Sequence, residues 1–145
     1  MLVKKLATRA GLAVAASALA LVGTAGSASA NPNAPYIGSG YVTSGAGVWC
    51  VQHSINYFIT HGYVQDFAPN GAPGHGTISE DSTWGPQTAD AVRWIQGLWH
   101  FSQDAVVGPD TGTTLIWWGD PYYNGRPGAL GYCWNYIPGD FTYRN

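Results

Sequence analysis

The chain has 145 residues, a formal net charge of −2, 46% hydrophobic residues and two cysteines. From residue 31 onward it contains no lysine, and three arginines stand against eight acidic residues, giving that part a formal charge of −5. It has no basic stripe to neutralise phosphates, which argues against nucleic acid and against an anionic membrane surface as partners.

The first 30 residues have the layout of a secretory signal peptide. A basic start with Lys4 and Lys5 precedes an apolar stretch over residues 10–22, and small residues end the segment at 28–30. The apolar stretch is short for a membrane span. We therefore expect cleavage before Asn31 and a protein that is secreted or cell-wall associated, with no membrane insertion after cleavage.

The exported part predicts one small domain with a disulfide. Its length, about 115 residues, suits a single core. Cys50 and Cys133 both lie in this part, and an oxidising compartment favours their pairing. The bridge would tie a C-terminal tail to the first helix. A Cys50 nucleophile beside His53 is the alternative, but a histidine at i+3 on one helix does not by itself make a catalytic pair.

Helical segments and loops alternate along the exported part. Residues 31–47 are rich in Asn, Pro, Gly and Ser and predict a flexible N-terminal arm. Apolar residues at helical spacing predict a first helix from Val48 to about His61, stopped by Gly62. The stretch 66–77 carries Pro and Gly at turn density and predicts a long loop.

Two further helices and a tail complete the predicted elements. Residues 86–100 place Ala89, Val92, Ile95 and Trp99 on one face and predict the second helix. A shorter third helix is predicted from Pro109 to about Trp118. The remaining residues, 119–145, are aromatic and glycine-rich, and we expect an irregular tail with some extended structure on the outside of the domain.

One eight-residue pattern occurs twice in the chain. Residues 81–88 and 104–111 share D-x-x-Φ-G-P-x-T, where Φ is apolar, and such recurrence indicates one supersecondary unit used again. Asp can accept hydrogen bonds from backbone N–H groups just downstream, and Gly-Pro suits the start of a helix. The Thr hydroxyl can meet donors of the first turn. We expect structural turn residues at Asp81, Gly85, Thr88, Asp104, Gly108 and Thr111.

The run 48–115 resembles the peptidoglycan-binding domain family of small three-helix modules. The family pattern is V-x-x-Φ-Q-x-x-L, then G-Y, then D-G-x-F-G-x-x-T-x-x-A-V-x-x-F-Q, then D-G-x-V-G-x-x-T-x-x-x-L. It is matched in order by Val48, Val51, Gln52, Ile55, Gly62, Tyr63, Asp81, Trp84, Gly85, Thr88, Ala91, Val92, Ile95, Gln96, Asp104, Val107, Gly108, Thr111 and Leu115. The chain departs from the pattern at Ser82 and Ala105, where the family has glycine.

The resemblance implies a mainly α fold: a three-helix bundle over residues 48–118 with long loops, followed by an irregular, disulfide-tethered tail. For ligand contact, Gln52 and Asn56 offer amides that suit a stem peptide, although the matched positions of Gln52 and Gln96 favour a role in the turns. Flat aromatic faces are offered by Tyr63, Trp84 and Trp94. Trp94 lies off the buried face of its helix, and contact with the Cys133-linked tail is its alternative role.

The function implied by the resemblance is a secreted, non-catalytic module that binds bacterial peptidoglycan through its stem peptide or glycan, without cofactor or metal. The four histidines show no H-E-x-x-H spacing. Glu80 is the one glutamate and sits beside Asp81, which offers little for the separated carboxylate pair of a glycosidase. The alternatives are a secreted protein-interaction or inhibitor protein on the same scaffold, and a small cell-wall hydrolase.

Overall fold

A computed structural model of the chain describes residues 31–68, 73–125 and 131–140, and the predicted signal peptide lies outside them. The described residues form helices α1 (Ala46–Thr60), α2 (Val64–Phe67), α3 (Pro86–Leu98), α4 (Pro109–Trp118) and α5 (Pro121–Asn124), and a 3₁₀ turn (Tyr132–Asn135). Strand-like pairing in these residues is confined to isolated bridges. The predicted mainly α class is confirmed. None of the helices in these three ranges has the length and apolarity needed to cross a membrane.

Helix α1 begins at Ala46, slightly before the predicted Val48, and ends at Thr60. Gly45, with φ of 94°, precedes it in a conformation that glycine adopts without strain. Gly62, with φ of 75°, follows its end, so the chain turns away where the sequence predicted a stop. The core-facing side of α1 is fully buried at Val48, Val51, Ile55 and Phe58.

Helices α3 and α4 both begin at the proline of the repeated pattern. Pro86 and Pro109 occupy the first turn of each helix, where a missing N–H costs no hydrogen bond. Gly85 and Gly108 precede them in extended conformations. The same two-residue signal therefore starts two helices, and α4 also ends at Trp118, where the sequence predicted.

Two predicted boundaries are wrong. Helix α3 ends at Leu98 and not at His100, because His100 has a φ of 58° in the left-handed region, which a continuing helix cannot contain. The long loop begins later than predicted, since Asp66 and Phe67 belong to the short helix α2. Phe67 packs against the ring of Phe58 with centroids 5.6 Å apart, so a core contact holds this segment in place.

The N-terminal arm, predicted to be flexible, packs against the domain. Ile37 is 1% exposed and exchanges backbone hydrogen bonds of 3.2 and 2.8 Å with Val107. Further along, the Trp84 N–H donates to the Thr43 carbonyl oxygen at 2.9 Å. The polar composition of the arm indicated flexibility, but two buried apolar residues, Ala34 and Ile37, and the paired backbone groups of Ile37 anchor it beside the second turn.

The predicted disulfide between Cys50 and Cys133 is present, and both residues are fully buried. It joins the C-terminal tail to α1. The described part of the tail forms α5 and the 3₁₀ turn instead of the extended structure that we expected. Residues 126–130 and 141–145 of the predicted tail lie outside the described ranges.

The tail packs closely against α4 at two points. Gly112 of α4 lies so near the Pro138 carbonyl that a Cβ atom at this position would overlap it. Asn124 is fully buried, and its Nδ2 donates to the carbonyl oxygens of Leu115 and Ile116 at 3.2 and 3.1 Å. Asn124 therefore supplies a donor to the Ile116 carbonyl, one of the last four of α4, and a second donor to the Leu115 carbonyl, which also accepts from the Gly119 N–H at 2.8 Å.

Candidate ligand-binding surface

The side-chain amide of Gln52 lies at the centre of the first repeated turn. Its Nε2 donates to Asp81 Oδ1 at 3.0 Å, and to the Thr83 carbonyl oxygen and Thr88 Oγ1 at 3.1 Å each. Its Oε1 accepts from the Ser82 N–H at 3.0 Å. One buried amide of α1 thus holds both the turn and the first residues of α3.

Gln96 repeats this arrangement at the second turn, atom for atom. Its Nε2 donates to Asp104 Oδ1 at 2.9 Å, to the Val106 carbonyl oxygen at 3.0 Å and to Thr111 Oγ1 at 3.2 Å. Its Oε1 accepts from the Ala105 N–H at 3.1 Å. The sequence repeat is therefore a repeat of one hydrogen-bond network. One copy fixes the start of α3 to the first turn, and the other fixes the start of α4 to the second turn.

The turns keep a left-handed residue at the two positions where the chain departs from the family pattern. Ser82 and Ala105 have φ of 62° and 56°, a region that favours glycine. Asp81 Oδ1 also accepts from the Thr83 N–H at 2.9 Å. These hydrogen bonds, from Gln52 first and then from Thr83, lower the pKa of Asp81 below its ordinary value of 3.8.

Both amides that the sequence suggested for ligand contact are used inside the domain. Gln52 is 1% exposed and engaged as described. Asn56 Nδ2 donates to the Ile78 carbonyl oxygen at 2.8 Å and to Glu80 Oε1 at 2.9 Å, and its Oδ1 accepts from the Ile78 N–H at 2.8 Å. Asn56 therefore fixes the end of the long loop against α1.

The described end of the long loop contacts Trp94. The indole Nε1 of Trp94 donates to the Pro73 carbonyl oxygen at 2.9 Å, and the His75 ring lies 5.3 Å from the Trp94 ring. The alternative role considered for Trp94, contact with the Cys133-linked tail, stays a prediction, since residues 126–130 and 141–145 of the tail lie outside the described ranges. The described end of the loop is held to α3 by this indole.

Tyr63 and Trp84, the other aromatic candidates, are half-buried. The Tyr63 ring lies 6.0 Å from that of Phe58 and 5.4 Å from that of Trp118. Trp84 belongs to the first turn, and its Nε1 is buried with no hydrogen-bond partner in the described part of the chain. Both side chains take part in packing around the helices.

Five aromatic rings form a continuous strip over α1, α5 and the 3₁₀ turn, in the order Tyr122, Tyr123, Trp49, Tyr132 and Tyr136. Successive ring centroids along this aromatic strip lie 4.9, 5.1, 6.2 and 5.0 Å apart. Tyr122 is 82% exposed and Tyr132 is 50% exposed. A groove of about 480 Å³ opens beside the strip, lined by Gly45, Ala46, Trp49, Ser82, Tyr123 and Tyr132.

His53 packs against the strip and joins three segments of the chain. Its Nδ1 lies 3.0 Å from Glu80 Oε2, and its Nε2 lies 3.1 Å from Asp120 Oδ2. The Trp49 ring stacks on it with centroids 4.8 Å apart and an interplanar angle of 10°, and Tyr123 meets it edge-on at 4.8 Å. Since both ring nitrogens have a partner, the histidine ring is fixed and supports Trp49 and Tyr123.

The two carboxylates beside the strip are fully engaged. Besides its contact with His53, Glu80 accepts from Asn56 at 2.9 Å, and Asp120 Oδ1 accepts from the Tyr122 N–H at 2.8 Å. These two carboxylates contact opposite nitrogens of the His53 ring. The described residues contain no group of three or more side chains placed to hold a metal ion.

The strip carries no positive side chain from lysine or arginine within the described residues. In those ranges the one such residue is Arg93, which pairs with Asp90 at 3.0 Å on α3. With Glu80 and Asp120 at its border, the strip is a flat, aromatic and weakly acidic surface. Its polar groups are mainly the phenol hydroxyls.

Sequence reasoning missed the strip because four of its five members lie in the tail, in α5, in the 3₁₀ turn and at the residue that follows it, outside the repeated pattern. A usable signal was nevertheless present. Trp49 precedes Cys50 and Tyr132 precedes Cys133, so the predicted disulfide already brings the two rings near one another. The roles of His53, Glu80 and Asp120 depend on contacts between residues as far as 67 positions apart, which spacing does not reveal.

Comparisons with known proteins assign no family to the chain. No family model, no curated protein and no solved structure matches it. The repeated turns and the aromatic strip are thus the features on which a function can be based.

Proposed function

We propose that the chain is a secreted, non-catalytic module that binds the peptidoglycan of the bacterial cell wall through its aromatic strip. The observation that carries this proposal is the strip itself, a row of rings beside an open groove. Tyr and Trp rings combine apolar faces with a polar edge, which suits both sugar rings and interfaces.

The repeated turns support the three-helix part of the proposal. In this view α1, α3 and α4 are the three helices of the peptidoglycan-binding domain pattern. The networks of Gln52 and Gln96 give a physical reason for the pattern's Gln, Asp and Thr positions, because each of these residues is needed to complete one network.

The features of the N-terminus and of the cysteines support secretion. The first 30 residues have the order of a signal peptide, and the buried Cys50–Cys133 disulfide is consistent with an oxidising, extracellular compartment. A secreted protein with an exposed aromatic surface and no basic patch would meet the wall through short-range contacts.

The position of His53 supports a binding role over hydrolysis. A glycosidase needs two carboxyl groups with the sugar, or a water molecule, between them. Here the ring of His53 lies between Glu80 and Asp120 and contacts both at 3.0 and 3.1 Å. The space that a substrate would need is thus filled by the protein's own side chain.

A secreted protein-interaction or inhibitor protein is the second candidate. Exposed Tyr and Trp residues are also enriched in protein interfaces, and Tyr122 at 82% exposure is suitably placed for one. The two candidates differ in a simple observation. A wall module is retained by insoluble peptidoglycan, whereas an inhibitor forms a defined complex with a protein and is not retained.

Co-sedimentation of the exported protein, its disulfide intact, with insoluble peptidoglycan tests the proposal, with cellulose as the control polymer. We expect retention on peptidoglycan, loss of retention in Tyr132→Ala, and no loss in Tyr41→Ala. Tyr41 is a matched control, because it is also exposed and packs on one neighbouring tyrosine, Tyr36, at 5.5 Å. Absence of retention, together with a stable protein complex, would overturn the proposal in favour of the second candidate.

A further inference from the structure

Resting on the proposed function, we infer that the aromatic strip binds the glycan strand of peptidoglycan, a chain of sugar rings whose lactyl carboxyl groups are neutral while in amide linkage to the stem peptides, and does not bind the stem peptide itself. The sequence left both ligands open. The contacts around the strip distinguish the two candidate ligands, because a peptide and a sugar chain need different partner groups on the protein.

The free carboxylates of a stem peptide would be held best by a cation. The strip has no lysine or arginine in the described residues, since Arg93 lies on α3 and pairs with Asp90 at 3.0 Å, and both ring nitrogens of His53 are engaged by Glu80 and Asp120. The N–H of Tyr122, beside the strip, donates to Asp120 at 2.8 Å. An anionic peptide end would therefore meet a surface bordered by two carboxylates and without a lysine or arginine side chain, in the described residues, free to pair with it.

The amino groups of a stem peptide would have to compete for carboxylate oxygens that already accept hydrogen bonds within the protein. The four oxygens of Glu80 and Asp120 are occupied by Asn56, His53 and the Tyr122 N–H at distances of 2.8–3.1 Å. Releasing any of them would disrupt the support of Trp49 and Tyr123. The charged groups near the strip thus serve the protein's own structure.

What remains for a ligand is a row of ring faces and hydroxyl edges. The exposed members, Tyr122, Tyr132 and Tyr136, lie at both ends of the row, with Trp49 between them at the groove. Partial loss of water around the Tyr132 phenol, followed by its contact with Tyr136, raises its pKa above 10.0, so this hydroxyl stays neutral around physiological pH. Repeated apolar faces and neutral hydroxyls match a chain of sugar rings.

The test uses soluble glycan strands of equal length, prepared with stem peptides attached and with stem peptides removed by an amidase, the lactyl carboxylates thereby exposed being capped as methylamides so that the stripped strands stay neutral. Their affinities for the exported protein are measured by calorimetry. We expect dissociation constants for the two preparations within about twofold, and no displacement by an excess of free stem peptides. The variant Tyr122→Ala with Tyr132→Ala should bind about tenfold or more weakly, a loss typical of removing central aromatic contacts.

Tyr132→Phe and Tyr41→Ala are the controls for this test. Tyr132→Phe keeps the ring face and should bind within about threefold of the unmodified protein, whereas a loss equal to that of Tyr132→Ala would overturn the role of the ring face. Binding that disappears with the stem peptides would overturn the inference and leave the proposed function standing. Failure of both preparations and of intact peptidoglycan would instead contradict the proposed function itself.

Discussion

Gln52 and Gln96 show how one buried side chain can specify a turn and the start of the helix that follows it. Each amide meets an Asp carboxylate, a backbone carbonyl oxygen, a Thr hydroxyl and a backbone N–H. The spacing of Asp, Gly-Pro and Thr indicated a turn from the sequence alone. The partner of the Asp81 carboxylate, an amide 29 residues earlier, depends on how α1 packs, and spacing does not reveal it.

Replacing either glutamine by methionine should destabilise the fold while keeping the side-chain volume. Gln52→Met leaves the Thr88 hydroxyl and the Ser82 N–H without their partner, and we expect a loss of about 2–3 kcal/mol in the free energy of unfolding. Gln96→Met should behave alike because its network is the same. Urea unfolding with the disulfide intact measures the effect, and exposed Gln87→Met is the control. A loss below about 0.5 kcal/mol, as for an ordinary surface change, would contradict the role given to the amide.

The lowered pKa of Asp81 predicts the pH range in which this carboxylate stops contributing to the stability of the fold. A carboxyl group whose pKa is lower in the folded than in the unfolded chain stabilises the fold above its ordinary value of 3.8, and this contribution disappears as pH falls through the folded value. Asp81→Asn keeps an acceptor oxygen but has no charge to lose. The stability difference between the two proteins should be constant near neutral pH and shrink in acid below about 3.8. A difference that stays the same through this range would contradict the assignment.

At the scale of elements, the helix starts follow from local chemistry and the arrangement of the tail does not. Gly-Pro pairs begin α3 and α4, and glycine follows α1, so these boundaries were close to prediction. The tail instead depends on non-local contacts, such as Asn124 capping α4 and Pro138 approaching Gly112. The Gly-rich and aromatic composition of the tail predicts irregular structure. It does not predict which helix the tail packs against.

Gly112→Ala tests how closely the tail is packed against α4. Alanine favours a helix by about 1 kcal/mol over glycine, so any destabilisation must come from the tail. A Cβ at this position would overlap the Pro138 carbonyl and lie 2.8 Å from Ile137 Cγ2, and we expect a net loss of about 1–3 kcal/mol. Thermal unfolding measures the change. Gly97→Ala in α3 is the matched control, because the nearest atoms to its Cβ would belong to the flexible end of the Gln103 side chain, at 3.1–3.4 Å. Equal stability of the two variants would contradict the packing.

At the scale of the whole molecule, the disulfide unites the helical domain with the surface that we propose binds the wall. The mainly α class, the Cys50–Cys133 pair and most helix limits were predictable because they depend on spacing and on compartment. The aromatic strip was not, because it exists only when α1, α5 and the 3₁₀ turn come together. Trp49, which the sequence placed on α1 without a role, becomes the centre of that surface.

Removing the disulfide should reduce both stability and ligand binding. The bridge closes a loop with a sequence separation of 83 residues, for which the chain-entropy model gives at most about 4–5 kcal/mol. Cys50→Ala with Cys133→Ala should lower the free energy of unfolding toward this limit and weaken peptidoglycan binding, since Tyr132 is no longer tied beside Trp49. Urea unfolding and co-sedimentation measure the two effects. Unchanged binding by a folded variant would show that the strip does not depend on the bridge.

The most direct test of the account is an NMR titration of the ¹⁵N-labelled exported protein with soluble peptidoglycan fragments, following the indole N–H signals of its tryptophans. We predict that the Trp49 signal shifts progressively to saturation while the Trp94 signal, whose N–H donates to the Pro73 carbonyl at 2.9 Å, stays in place. A shift of Trp94 with Trp49 unchanged would move the binding surface to the long loop. No shift in any indole or backbone signal would contradict peptidoglycan binding altogether.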